Sequence, residues 1–244
     1  MKNFSSNIFL FSLCLFLLAP ILFIVITAFN NTTDIIIHLI QTVLFKYFTN
    51  TLYLMLGVAI LSLVFGVSTA WVVSRFSFYG RDTIEWMLVL PAAIPAYIVA
   101  YTYTDFLEYS GPLQTAMRNY YLWSSSSDYW FPEIRSYWAA MIIMSSVLYP
   151  YIYLLTRTSF RNTSRYLFEA SIVANKNILF DTALPLARPA IVAGLALVLM
   201  EVVSDFGTVE YFALETLTLG IFNVWLGMND ISAAAQLSIF TFFI

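Results

Sequence analysis

Four long apolar runs without a charged residue, Ile8–Phe29, Thr51–Ser74, Trp86–Thr104 and Ser136–Thr156, constrain this chain more than anything else in it. Each is long enough for a helix crossing ~30 Å of hydrocarbon, where the backbone must satisfy its own hydrogen bonds. A soluble surface needs roughly a quarter of charged residues, whereas here charged residues are 10% and hydrophobic ones 61%. The pattern predicts an all-α membrane protein, a polytopic helical bundle. A fifth run begins at Pro189 and stays apolar to Met200, after which Glu201, Asp205 and Glu210 make its outer half polar. A sixth begins near Ala233 and is still apolar at Ile244. About six transmembrane helices are therefore expected, the last truncated, as in a piece of a longer protein.

The first run follows Lys2 and lacks a small-residue cleavage site, which predicts an uncleaved helix. Cys14 lies within it and is the only cysteine, which leaves no intrachain disulfide or thiol metal cluster. Lys and Arg are retained on the cytoplasmic side of a membrane. With the N terminus inside, Lys2, Arg75, Arg81, Arg157, Arg161, Arg165, Lys176 and Arg188 are cytoplasmic, leaving Lys46, Arg118 and Arg135 outside. Most acids fall outside as well, including Asp34, Asp105, Glu108, Asp128, Glu133, Glu215 and Asp230. They account for the net charge of −3, and nothing in it suggests a nucleic-acid partner.

In the first outer segment, Ile36, Ile40, Val43, Leu44 and Tyr47 recur at helical spacing and predict an interfacial helix. His38 on it has no second metal-ligating partner nearby and reads as a surface residue. The second outer segment, Asp105 to Arg135, gathers Tyr120, Tyr121, Trp123, Tyr129 and Trp130, types that concentrate at lipid headgroup level. Pro91, Pro95 and Pro150 interrupt apolar spans, where each removes a backbone donor and predicts a kink.

Between the fourth and fifth spans lies a charged stretch, YLFEASIVANKNILFDTALPLAR, Tyr166 to Arg188. Tyr166, Ala170, Val173 and Ala174 fall on one helical face, with Ser164 as a cap and Asn175 to Asn177 as a stop. Glu169 stands beside that face, where a carboxylate can meet a basic group of a partner. Glu201 and Asp205 are four apart, which predicts one helical face. Glu201 falls roughly 18 Å along the helix from Pro189 at ~1.5 Å per residue, a depth inside the hydrocarbon where an acid costs about 2.5–3.5 kcal/mol on insertion scales and is expected to face a bundle interior or a water-filled path.

The stretch beginning NTLYLMLGVAILSLVFGVSTAW at Asn50, LPAAIPAYIVAYTY at Leu90, LYPYIYLLTR at Leu148 and ALPLARPAIVAGLALVLMEVVSDFGTVEYF at Ala183 resemble the iron(III) permease branch of the ABC importer family. The loop resembles that family's EAA motif, E-A-A-x3-G-x9-I-x-L-P. Glu169, Ala170 and Ser171 match its first three positions, Asn175 stands for the glycine, Thr182 for the isoleucine, and Leu184 and Pro185 match its end. From Asn175 to Pro185 the chain is three residues shorter than the pattern. Asparagine adopts the left-handed conformation that glycine supplies at a helix end. The DFGTVEYF stretch, Asp205 to Phe212, carries the likeness to the iron branch.

The resemblance implies one transmembrane permease domain over 1–244, the first of two repeats, with a cytoplasmic ATPase-docking loop at 157–188. Docking would then fall to Glu169, Ala170, Ser171, Ala174, Asn175, Leu184 and Pro185. Glu201, Asp205, Glu210 and Tyr211 would line the translocation path. The implied partners are an ATP-binding subunit, a periplasmic substrate-binding protein, a second permease repeat or subunit and the lipid of a bacterial inner membrane. No phosphate-binding G-x-x-x-x-G-K-[ST] occurs, so ATP would be used by the partner. With one histidine and no nucleophile–base or metal motif, no catalytic residue, metal site or cofactor is assigned. Importers of thiamine, a polyamine, sulfate or an organophosphonate share these general features, and an ion-coupled secondary transporter shares the broken helices and membrane carboxylates.

The topology is tested with single cysteines in a Cys14→Ser background. An impermeant thiol reagent should label position 126 in intact cells and position 177 only after the membrane is opened; the reverse pattern would invert the assignment.

Overall fold

The computed structural model describes residues 2–30 and 34–243, with side chains described from residue 9 onward except at Asn30. The side chain of Lys2 and the chain end at Ile244 lie outside these. Twelve α-helices run in the order α1 (Lys2–Asn30), α2 (Asp34–Thr42), α3 (Leu44–Arg75), α4 (Arg81–Met87), α5 (Ala96–Leu107), α6 (Pro112–Tyr121), α7 (Tyr137–Asn162), α8 (Arg165–Val173), α9 (Leu184–Ser204), α10 (Gly207–Tyr211), α11 (Leu217–Phe222) and α12 (Ile231–Phe242), with no strand among the described residues. Among the described residues, four helical stretches are long and apolar enough to cross a membrane: Phe9–Phe29, Leu44–Arg75, Tyr137–Asn162 and Ile178–Ser204.

The third predicted span is not one helix. Over Arg81–Ala93 and Ala96–Tyr121 the chain bends by 93°. Pro95 forces the break by driving Ile94 into an extended conformation (φ −111°, ψ 125°). By contrast, Pro150 and Pro189 sit inside continuous helices. The fifth span starts ahead of Pro189: a wide helical turn at Ile178–Ala183 feeds α9. The last apolar segment, α12, has 12 residues in its helix.

The chain divides into two compact units, residues 1–50 with 215–244, and residues 51–214. In the first unit α1 is apolar around its whole circumference, with Phe9, Phe16 and Phe29 all well exposed, as a helix in lipid is. Near its end Ala28 is buried, and its carbonyl accepts a hydrogen bond from Gln236 Nε2 of α12 at 2.8 Å. Ala233, Ala234 and Leu237 of α12 pack with Ile36 and Leu39 of α2. A helix forms here as expected, but Ile40 faces outward, and Ile36, Leu39 and Val43 make the packed face. His38 is exposed. Lys46 pairs with Glu215 in the same unit.

The second unit is organised by α3, α7 and α9. Ile152 of α7 is fully buried between two glycines. A Cβ on Gly66 would meet Ile152 Cβ at 2.8 Å, and one on Gly194 would meet Ile152 Cα at 2.8 Å. Where lipid supplies no hydrophobic drive between helices, such close backbone approach supplies the packing. Trp71 meets Phe160 edge-on at 5.4 Å and extends the contact toward the end of the bundle bearing Arg75 and Arg161.

The loop from Asp105 to Arg135 contains helix α6, and its aromatics pack on one another. Trp123 stacks on Tyr121 at 4.7 Å and on Tyr129 at 4.8 Å. Tyr129 donates to Gln114 Oε1, and Arg118 lies 4.0 Å above the Tyr109 ring. Backbone N–H groups of Ser125 and Ser124 hold the Asp128 carboxyl below its ordinary pKa.

Close approach at Ile152 sets an expected outcome for mutagenesis. Gly194→Ala should lower stability by about 1–3 kcal/mol through overpacking, read as a fall in thermal midpoint in detergent. Gly227→Ala, with no atom within 4 Å of the added carbon, should leave the midpoint within error.

Candidate functional site

The loop between α7 and α9 is built by local rules. Helix α7 stops at Thr163, which is extended, and α8 begins at once. Ser164 occupies the N-cap position as expected, but its hydroxyl accepts no hydrogen bond from the helix, and its carbonyl instead receives the Leu167 N–H at 3.1 Å. One face of α8 is held down: Ser171 is buried, and Phe168 packs on the α3/α7 core beneath the Arg75 guanidinium, 5.7 Å from its ring. The other face is open, with Tyr166 81% and Val173 89% exposed beside Glu169 and Ala170.

The helix ends in a Schellman turn. Asn175 takes φ 54°, the Lys176 N–H reaches the Ser171 carbonyl at 3.0 Å, and the Asn175 N–H reaches that of Ile172 at 3.0 Å. Asparagine therefore does the work of the motif's glycine. Only Ala174, Asn175, Lys176 and Asn177 separate α8 from the next helical turn. Asn177 Oδ1 caps that turn by accepting from the N–H groups of Leu179 and Phe180 at 3.0 and 3.1 Å, while Asp181 accepts the Asn177 N–H at 2.8 Å. These caps close the shortened connection without an orphaned helix end.

The two remaining departures from the EAA pattern meet each other. Thr182 Oγ1 donates to Ser171 Oγ at 2.8 Å, so each hydroxyl in this packed elbow has a partner where the pattern has alanine and isoleucine. Leu184 and Pro185 are half-buried at the base of the loop, away from the exposed tip; Leu184 packs on the core of Ala70, Val73 and Tyr153. Ala174 and Asn175 are exposed at the tip itself.

The four residues expected along a path do not gather in one place. Glu201 is exposed on α9, but Asp205 lies beyond the helix end in extended conformation, so the two do not share a helical face. Asp205 leaves the helix because its carboxylate finds better donors, the Thr208 N–H at 2.7 Å and the Thr208 hydroxyl at 3.0 Å. Glu210 and Tyr211 do come together, lining a cleft of about 620 Å³ with Tyr97, Tyr101 and Gly207. Tyr211 is held there by Tyr101 at 5.7 Å and by Arg135, whose guanidinium lies 5.1 Å from its ring. Arg135 also pairs with Glu108 at 2.7 Å. Tyr97 and Tyr101 carried no sequence signal, because their nearness to Tyr211 depends on α5 packing against α10.

Long apolar helices, one candidate span bent by 93°, and an exposed short helix between two of the spans make this a polytopic all-α membrane protein. The family model described as binding-protein-dependent transport system inner membrane component matches residues 62–244, and the chain belongs to that family. The Fe(3+)-transport system permease protein FbpB 2 of Haemophilus influenzae is 25% identical over 193 residues, 78% of this chain and 33% of that protein. The molybdenum transport system permease protein ModB of the same species is 25% identical over 156 residues, covering 62% of this chain and 64% of that one. The sulfate transport system permease protein CysW of Escherichia coli is 24% identical over 205 residues, 80% and 65% of the two chains. The chain thus spans between 33% and 65% of the length of these relatives. A chain of the bacterial alginate ABC transporter, crystallised with an alginate pentasaccharide-bound periplasmic protein, superposes with a TM-score of 0.69 at 18% identity, over 98% of this chain and 91% of that one. That likeness is one of fold.

The left-handed turn gives a sharp test. Asn175→Val places a β-branched side chain at φ 54° and should cost roughly 1–2 kcal/mol locally. Trypsin cleavage after Lys176 is then expected to quicken about tenfold, the equivalent of ~1.4 kcal/mol of local opening, while Asn175→Gly keeps the wild-type rate.

Proposed function

We propose that this chain is the permease subunit of a binding-protein-dependent importer, coupled through its 157–188 loop to a separate ATP-hydrolysing chain on the cytoplasmic side. The observation that carries the reading is α8: a short helix anchored by Phe168 and Ser171, ended by a rigid turn at Asn175, and bare on the face of Tyr166, Ala170 and Val173. An exposed apolar face on a rigid support is a surface made to be covered. Glu169 beside it offers a charge for a basic partner group. Glu169→Lys should abolish co-purification with the ATPase and cut substrate uptake about tenfold or more, with membrane insertion unchanged. Wild-type uptake and pull-down in that variant would remove the loop from the coupling role.

We read the cargo as iron(III), handed over by a periplasmic binding protein, with a second permease repeat or subunit completing the path. Support comes from the DFGTVEYF stretch, from the iron-transport relative, and from the oxygens of Glu210, Tyr97, Tyr101 and Tyr211 around one cleft. Carboxylate and phenolate oxygens suit a hard cation. A second reading, an oxyanion, draws on the molybdenum and sulfate relatives and on the lack of any group of three His, Cys, Asp or Glu side chains placed to hold a metal among the described residues. Uptake of radiolabelled iron, sulfate and molybdate by cells carrying the complete transporter separates the two. Iron accumulation that falls several-fold in Glu210→Gln, with assembly intact, is the expected result; accumulation of sulfate or molybdate instead would replace iron as the cargo.

A further inference from the structure

Four helix ends converge on a small basic pocket that the importer reading leaves without a task. Arg75 closes α3, Arg81 opens α4, Arg161 lies in the last turn of α7 and Arg165 opens α8. Together with Ser74 and Thr163 they line a cavity of about 380 Å³. That is many times a water molecule's ~30 Å³ share of the liquid. Its wall carries no carboxylate. Glu85, on α4, has its two oxygens committed to Arg157 and, at 3.1 and 2.6 Å, to Arg161. Arg75, Arg81 and Arg165 therefore bring positive charge that no residue of the pocket balances.

Two buried polar atoms at this pocket, Ser74 Oγ and Arg81 Nε, have no hydrogen-bond partner within the protein. Buried donors are almost always satisfied, and an unsatisfied guanidinium N–H among like charges is costly. An anion with several acceptor oxygens answers both the charge surplus and the missing partners, and the planar forks of arginine match phosphate geometry in pairs. The pocket lies where the candidate spans Leu44–Arg75 and Tyr137–Asn162 end, on the side expected to be cytoplasmic, and the end of a span is where lipid headgroups are expected. Basic pockets between helices at that level suit the headgroups of anionic lipids.

We propose that this pocket binds a phosphate-bearing anion, held by Arg75, Arg81, Arg161 and Arg165, and that an anionic phospholipid headgroup is the form the location favours. Bound there, the headgroup ties the ends of α3, α4 and α7 to the first turn of α8, and so fixes the base of the helix that carries Tyr166 and Val173.

The test uses the full-length protein, purified in detergent and stripped of lipid, with its thermal midpoint followed against added short-chain phosphatidylglycerol, short-chain phosphatidylcholine or inorganic phosphate. Phosphatidylglycerol should raise the midpoint at a concentration about tenfold lower than phosphatidylcholine, a preference of ~1.4 kcal/mol. The Arg81→Gln/Arg165→Gln variant should lose that preference while keeping its lipid-free midpoint; if it fails to fold, Arg165→Gln alone, at an exposed position, carries the same comparison. Protection by inorganic phosphate equal to that by phosphatidylglycerol, and lost in the same variants, also supports the site and assigns it to a soluble phosphate. An identical response of wild type and variants, or no response of the wild type to either phosphate probe, overturns the proposal.

Discussion

The second unit depends on one crossing. Ile152 is the point at which α3 and α9 both press against α7, and they come so close only because Gly66 and Gly194 lack side chains there. In a bilayer no hydrophobic gain separates helix–helix from helix–lipid contact, so dispersion over closely matched surfaces has to hold the helices together. Everything that distinguishes this unit hangs from the clamped helix. The α8 loop is strung between α7 and α9, and the broken segment of α4 is tied to the α7 face carrying Tyr149 and Tyr153.

A bend of 93° in membrane-spanning sequence exposes backbone groups that lipid cannot satisfy. Here α7 supplies the missing partners. The Tyr149 hydroxyl donates to the Leu88 carbonyl at 2.9 Å and that of Tyr153 to the Glu85 carbonyl at 3.2 Å. Glu85 then pairs with Arg157 and Arg161 one and two turns further along α7. The break is thus over-determined by two phenols and an ionic cluster. Two carbonyls of the broken segment, those of Leu88 and Glu85, thereby have partners from the same neighbouring helix.

Loop and cleft illustrate opposite ways of placing side chains. The α8 tip is shaped locally, by the left-handed Asn175 and the side-chain caps of Asn177 and Asp181 within a few residues of one another. Distant residues enter only where Phe168 seats the inner face on the α3/α7 core, and the outer face is left exposed. The cleft around Glu210 and Tyr211 is assembled from far apart in the chain, by α5 with Tyr97 and Tyr101, by α10, and by Arg135 from the loop before α7. One arrangement suits a handle, the other a surface lining.

The apolar runs alone determined the all-α membrane class and the approximate positions of four of the spans, because a bilayer leaves a long apolar chain almost no other structure. The exposed helix before Asn175, its stop and its outward face were equally legible, since capping and helical periodicity act over a few residues. What the sequence did not contain was the outcome of competition between distant partners. Trp86–Thr104 is apolar enough to span but is bent, because Pro95 weakens it and Tyr149 and Tyr153 stand ready to satisfy the broken end. Asp205 lies four residues from Glu201 but leaves the helix, because the Thr208 N–H and hydroxyl bind its carboxylate. The pairing of Ser171 with Thr182 and the gathering of four arginines around one cavity likewise exist only after α3, α7 and α9 have packed. Tertiary structure decided these because a hydrogen bond or an ion pair is a property of two groups, and sequence spacing predicts only partners that share a turn.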